Sequence, residues 1–208
     1  MSSKVGFVFA GLHTLDEMTA NYFNPFFGSL INIHVSFLKR EATRRILTNP
    51  NDEFPLEYSP EAIDRIYDLT HGQPYLVQLI GFHLVRRYNN QVFEQGKSRE
   101  SVFTVKDVEH VIGDREFFKQ GRYYFHGVWG QIKRGGVAQQ AVLQELRLEP
   151  KGLSRNDLSE LTSLNQESLQ EALKALKRYD VVAEVEGKWR IIVELFRLWL
   201  KSDQGDRI

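Results

Sequence analysis

Cysteine is absent from the 208 residues. Its absence excludes disulfides, thiolate nucleophiles and cysteine-built zinc sites, and it fits a reducing compartment. A charge bias is absent too, since 27 basic side chains balance 27 acidic ones. Proteins that live on nucleic acid carry a basic footprint, so this balance argues against nucleic acid as the main partner. Apolar runs such as Val5–Ala10 fall far short of the roughly 20 residues that a membrane span needs. The first residues, Met1 to Val5, show no secretory pattern. Internal repeats and low-complexity tracts are also missing. The resulting expectation is a soluble, cytoplasmic protein with no membrane partner. Apolar residues make up 42% of the chain, enough to fill a core, so global disorder is excluded.

The chemistry of a phosphate loop is missing as well. Gly6 and Gly11 have the G-x-x-x-x-G spacing, but Leu12 and His13 follow where the motif needs Lys and then Ser or Thr. Those residues reach the β- and γ-phosphates and hold Mg²⁺. Gly96-Lys97-Ser98 is the one Gly-Lys-Ser, yet Gln91 stands where its first glycine belongs. The histidines His34, His71, His83, His110 and His126 show no H-x-x-x-H pair, which argues against zinc. Ser154, Ser163 and Ser168 sit at expected helix starts, where capping explains them better than nucleophilic catalysis.

Three textures are present. Residues 1–38 hold two β-type runs, Val5–Ala10 and Ile31–Leu38. The long segment between them suits a crossover rather than a hairpin. Residues 39–126 read as helices. One covers Arg40–Leu47. Ser59-Pro60-Glu61 starts the next with a cap, a proline at the first position and an acid in the first turn. Gly72 ends it, and Pro74 begins another with Leu76, Leu79, Ile80 and Leu84 as its stripe. A polar loop over Asn89–Glu100 precedes a capping box at Thr104 and Asp107. Residues 127–208 form a third unit. An amphipathic helix covers Val137–Arg147, and Ser154-x-x-Asp157 caps a short one. Asn165 opens a helix with Leu169, Ala172, Leu173 and Leu176 on one face. Val181–Val185 and Lys188–Ile192 flank Glu186-Gly187 as a hairpin, and a last helix carries Leu195, Phe196 and Trp199. Helix, helix, helix, hairpin is the order of a winged helix. The fold class expected is mainly α with a small β content: residual parallel strands, a helical bundle and a C-terminal winged helix.

This ordered set resembles the later part of STAND-type P-loop ATPases, a branch of the AAA+ class. Phe7–Met18 is similar to their fourth core strand and the turn after it, and Ile31–Leu47 to the fifth strand and first lid helix. Tyr58–Gln78 resembles the lid segment with its Gly-x-Pro motif, and Lys188–Leu200 the wing and closing helix. The resemblance implies residues 1–38 as leftover core strands, 39–126 as a helical lid and 127–208 as a winged-helix domain. It implies an adenine contact at Pro74, with Gly72 shaping the turn, and a γ-phosphate sensor position at His13 and Thr14. Helix punctuation alone also accounts for Gly72 and Pro74, and a solvated turn for His13 and Thr14.

The family's Walker A loop and Walker B acid have no counterpart here. The chain alone is therefore expected to hold no cofactor and catalyse nothing, whereas ATP or ADP with Mg²⁺ belongs to a complete relative. Expected partners are a missing N-terminal ATPase core or another copy of the chain, joined through the open space beside Val5–Ala10. Such a chain would be a regulatory and assembly part whose lid and winged helix control a nucleotide module. One alternative is half of an ATPase completed in trans. The other is a DNA-binding winged helix using Lys174, Lys177, Arg178, Lys188 and Arg190. Against it, Glu167 and Glu171 flank the start of the recognition helix, and residues 151–208 hold ten basic and ten acidic side chains.

Overall fold

The computed structural model describes residues 35–49, 51 and 53–202. The chain divides into two units, residues 1–35 and 36–208, and the architecture below belongs to the second. The run Val5–Ala10, most of Ile31–Leu38, and His13 and Thr14 lie outside the described residues. The described end of that second run, residues 35–38, forms no strand. The Leu38 N–H donates to the Gly72 carbonyl at 2.8 Å.

Ten α-helices and two small sheets make up the described residues. The fold is mainly α with a small β content, as the patterning indicates. None of the described helices is long and apolar enough to cross a membrane. The first half is a bundle. Helix α1 (Arg40–Thr48) leads through a turn to β1 (Glu57–Tyr58), followed by α2 (Pro60–Thr70) and α3 (Pro74–Asn89). Ser59 caps α2 by accepting from the Ala62 N–H at 3.2 Å, with Pro60 behind it. Proline fits there because the first-turn N–H groups have no helical partner to lose. After α3 the chain takes one wider π-type turn at Asn90–Glu94, then β2 (Val102–Phe103) pairs parallel with β1. Each of these strands is two residues long, too short to show a period in the sequence. Helices α4 (Val105–Gly113), α5 (Arg115–Gln120) and α6 (Arg122–Arg134) complete the bundle. Thr104 opens α4 in a box with the Asp107 carboxylate, which accepts from the Thr104 N–H and hydroxyl at 3.0 Å each.

Helix α6 runs through positions 126 and 127, the boundary expected between bundle and winged helix. At Gly135–Gly136 the chain turns into α7 (Val137–Leu146), followed by α8 (Arg155–Thr162) and α9 (Gln166–Arg178). The hairpin β3 (Val182–Val185) and β4 (Lys188–Ile191) comes next, then α10 (Glu194–Lys201). Leu153 adds a third, single-residue strand to β4 by bonding Trp189 in both directions at 2.9 and 2.7 Å. Helix, bridge, helix, helix and hairpin follow one another in the element order of a winged helix. The Ser154 box is complete: its Oγ accepts from the Asp157 N–H at 3.2 Å, and the Asp157 carboxylate takes the Ser154 N–H at 3.0 Å. At the hairpin tip Glu186 (φ 54°) and Gly187 (φ 75°) are both left-handed. That pairing matches the twist of the flanking strands.

One core runs through both halves. Phe125 of α6 stacks on Trp199 of α10 at 5.7 Å and 12°, and Trp199 on Phe196 at 5.8 Å and 17°. All three rings are essentially buried.

Candidate functional site

The Gly72–Pro74 turn is the expected adenine-contact position. Helix α2 ends on His71 in the left-handed region (φ 50°) and Gly72 follows at φ 74°. A Cβ on Gly72 would lie 2.0 Å from the Leu38 carbonyl oxygen. Only glycine allows the turn to press against the strand-like segment before α1. Thr70 locks the turn from below, its hydroxyl donating to the Ile66 carbonyl at 2.8 Å and accepting from the Gly72 N–H at 3.2 Å. Gln73 then caps α3, its side chain accepting from the Leu76 N–H at 2.9 Å, and Pro74 takes the first helical position. The turn holds Pro74 at the positive end of a 16-residue helix.

Charged and aromatic groups surround this turn. Arg40 lies 4.4 Å over the Tyr67 ring and pairs with Asp64 and, at 3.3 Å, Asp68. The His71 ring meets Tyr67 at 5.7 Å and Phe37 at 6.3 Å. Desolvation first, and the charge of Arg190 second, hold the His71 imidazole below its ordinary value, while Asp180 and Asp68 oppose them. The wing's electrostatic reach therefore includes the end of α2.

The five basic residues of the DNA alternative are all exposed, but they act in separate places. Lys174, Lys177 and Arg178 lie in the last half of α9, and the Arg178 guanidinium sits 5.2 Å from the Tyr179 ring. Lys188 helps hold the Asp157 carboxyl down, after the hydrogen bonds from the Ser154 side chain and backbone, so it stands by the start of α8. Arg190 acts on His71. The exposed first turns of α9 present Gln166, Glu167, Gln170 and Glu171, which repel phosphate.

A second feature escaped the sequence. Helices α1 and α3 splay to leave a groove of about 810 Å³, walled mainly by Ile46, Phe54, Tyr58, Val77, Phe82 and Val85. Its polar groups are Arg45, Asn49, Gln78 and the Tyr58 hydroxyl. Tyr58 is 9% exposed and Phe82 56% exposed. Burial raises the Tyr58 phenol well above its ordinary value, so it is a donor at any physiological pH. The signal for this groove was α3 itself. The stripe Leu76, Leu79, Ile80 and Leu84 accounts for one face, yet Val77, Phe82 and Val85 make a second apolar face with Gly81 between them. A helix that is apolar on two sides needs two sets of neighbours.

Among the described residues no three His, Asp or Glu side chains gather into a metal-binding group. No protein-family model matches the chain, and no curated protein is significantly similar to it.

Proposed function

We propose that the chain is a non-catalytic regulatory and assembly part of a STAND-like AAA+ ATPase. On this reading the bundle is a lid that closes over adenine through Pro74, and the winged helix is its rigid extension. The observation that carries the reading is the Gly72–Gln73–Pro74 turn. Its left-handed glycine, capping glutamine and first-position proline leave Pro74 exposed at the start of α3. The shared core of Phe125, Trp199 and Phe196 supports a corollary: lid and winged helix move as one body rather than hinging at 126–127. Cytoplasmic residence, and a partner that is either a P-loop core or another copy of the chain, belong to the same proposal.

Fluorescent ATP and ADP analogues titrated into the 208-residue chain, alone and mixed with a P-loop ATPase core encoded upstream or beside it, test the reading. No binding is expected alone. With the core, binding is expected and Pro74→Ala should weaken it several-fold without changing the fold. Hydrolysis by the chain alone, or indifference of the mixture to Pro74→Ala, overturns it. A shift of labelled duplex DNA at low salt, lost on Lys174→Glu with Lys177→Glu, would favour the DNA alternative instead.

A further inference from the structure

The groove between α1 and α3 has the size and make-up of a ligand site. Its roughly 810 Å³ falls within the ~300–1,000 Å³ of small-molecule pockets, which combine apolar walls with a few placed polar groups. Three observations show that it is built rather than merely left open.

The first is the Tyr58 hydroxyl. The ring is fixed against Phe103 at 5.0 Å, and the side chain is nine-tenths buried. The hydroxyl stands on the groove wall, 3.7 Å from where a Gly81 Cβ would be. Among the described residues it has no hydrogen-bond partner. The hydroxyl is not sealed off with the buried unpartnered atoms, so it is open to a group that enters the groove.

The second is Gly81 itself. It sits inside the 16-residue α3, where glycine is the poorest choice after proline. Packing does not require it. A Cβ there would meet Leu47 and Tyr58 only at 3.7 Å each, ordinary contact. What the missing side chain supplies is depth in the groove.

The third is charge. Arg45 is the one charged residue among those lining the groove, and no acid of the described residues pairs with it. Asn49 stands one turn on. The groove thus has an apolar floor, a neutral donor on its wall and a cation at its rim, and no anion.

We propose that this groove binds a small amphiphilic acid. Its apolar body lies over Gly81 against Val77 and Phe82, and Tyr58 and Arg45 are its polar anchors. This site is separate from the Pro74 turn and does not depend on the nucleotide reading.

Dodecanoate, below its micelle concentration, is the probe for calorimetric titration of the 208-residue chain. One equivalent is expected to bind with a dissociation constant on the order of 10 µM, within what a ligand of this size can reach. Dodecyltrimethylammonium should bind at least tenfold more weakly. Arg45→Gln should cost dodecanoate about tenfold and leave dodecanol unchanged, and Tyr58→Phe should cost a few-fold. Gly81→Leu fills the floor and should abolish binding, with Gly81→Ala as the folded control that retains it. Equal binding by Gly81→Leu, or equal affinity for the cationic probe, overturns the proposal. So does failure of dodecanoate while an amphipathic helical peptide binds in a Gly81-dependent way, which would make the groove a protein-docking surface.

Discussion

At the scale of single residues, two glycines in the bundle have opposite reasons to exist, and substitution separates them. Gly72→Ala forces a Cβ to within 2.0 Å of the Leu38 carbonyl oxygen in a left-handed backbone. The backbone penalty of about 1–2 kcal/mol adds to loss of the Leu38–Gly72 hydrogen bond, so a destabilisation of about 3 kcal/mol is expected in urea unfolding. Gly81→Ala meets only ordinary contacts and replaces a helix-interior glycine, so a gain of about 0.5–1 kcal/mol is expected by the same measurement. His83 gives a pH dependence. It is 8% exposed and packs on Phe117 at 5.5 Å. Desolvation, then Arg86, hold its imidazole below the ordinary value of 6.5, against the Gln120 hydrogen bond and the charges of Asp114 and Glu116. The unfolded chain therefore binds the proton more tightly than the folded one. Stability from this site is intact above about pH 6.5 and falls as pH drops below it. His83→Met should flatten that fall, read as a smaller difference between urea midpoints at pH 7.5 and 5.5. Thr70 and Gln73 were not singled out from sequence although their bonds are local, because glutamine is not among the usual capping residues and Thr70 reads as an ordinary helix-end residue.

At the scale of elements, local rules were legible where the residues are the usual caps and turn formers. The caps at Ser59, Ser154 and Asn165, the proline at the start of α3 and the Glu186-Gly187 hairpin all involve residues within a few positions of one another. Each is found where its spacing puts it. Two predictions belong here. Ser154→Ala removes a complete capping box from the eight-residue α8, and a loss of about 1 kcal/mol is expected in thermal or urea unfolding. Glu186 holds φ 54° without being glycine. Asn tolerates that region better, so Glu186→Asn should stabilise the hairpin by about 0.5 kcal/mol. The elements that were not legible depend on partners far away in sequence. The β1–β2 pair joins Tyr58 to Phe103 with two residues per strand and no period to read. The groove takes its walls from α1, the loop at Phe54 and α3; only α3, apolar on two sides, carries a sign of it in sequence.

At the scale of the whole molecule, composition and element order announced three textures, but nothing in them showed that bundle and winged helix share one core. That sharing comes from α6 and α10. Phe125 leaves the bundle to stack on Trp199, and Arg197 fastens α10 to α7. Arg197 is buried, and its guanidinium bonds both Glu194 carboxylate oxygens at 2.7 Å and the Arg147 carbonyl at 2.7 Å. Arg147 returns the arrangement by donating to the Leu200 carbonyl at 2.9 Å. Arg197→Ala leaves the Glu194 carboxylate and the Arg147 carbonyl without their donors, so a loss of about 2–3 kcal/mol is expected. Phe125→Ala opens a cavity beside Trp199 and should cost about 3–5 kcal/mol. The two variants test cooperativity as well as magnitude. If bundle and winged helix were independent, Arg197→Ala would lower only the winged-helix transition, and the helical signal would unfold in two steps. With a common core, tryptophan fluorescence and far-ultraviolet circular dichroism should report one coincident urea transition for residues 36–202. Each variant should shift both signals by the same amount. Separation of the two probes in either variant would mean that the halves are hinged, and the one-body motion proposed for the lid and winged helix would fall with it.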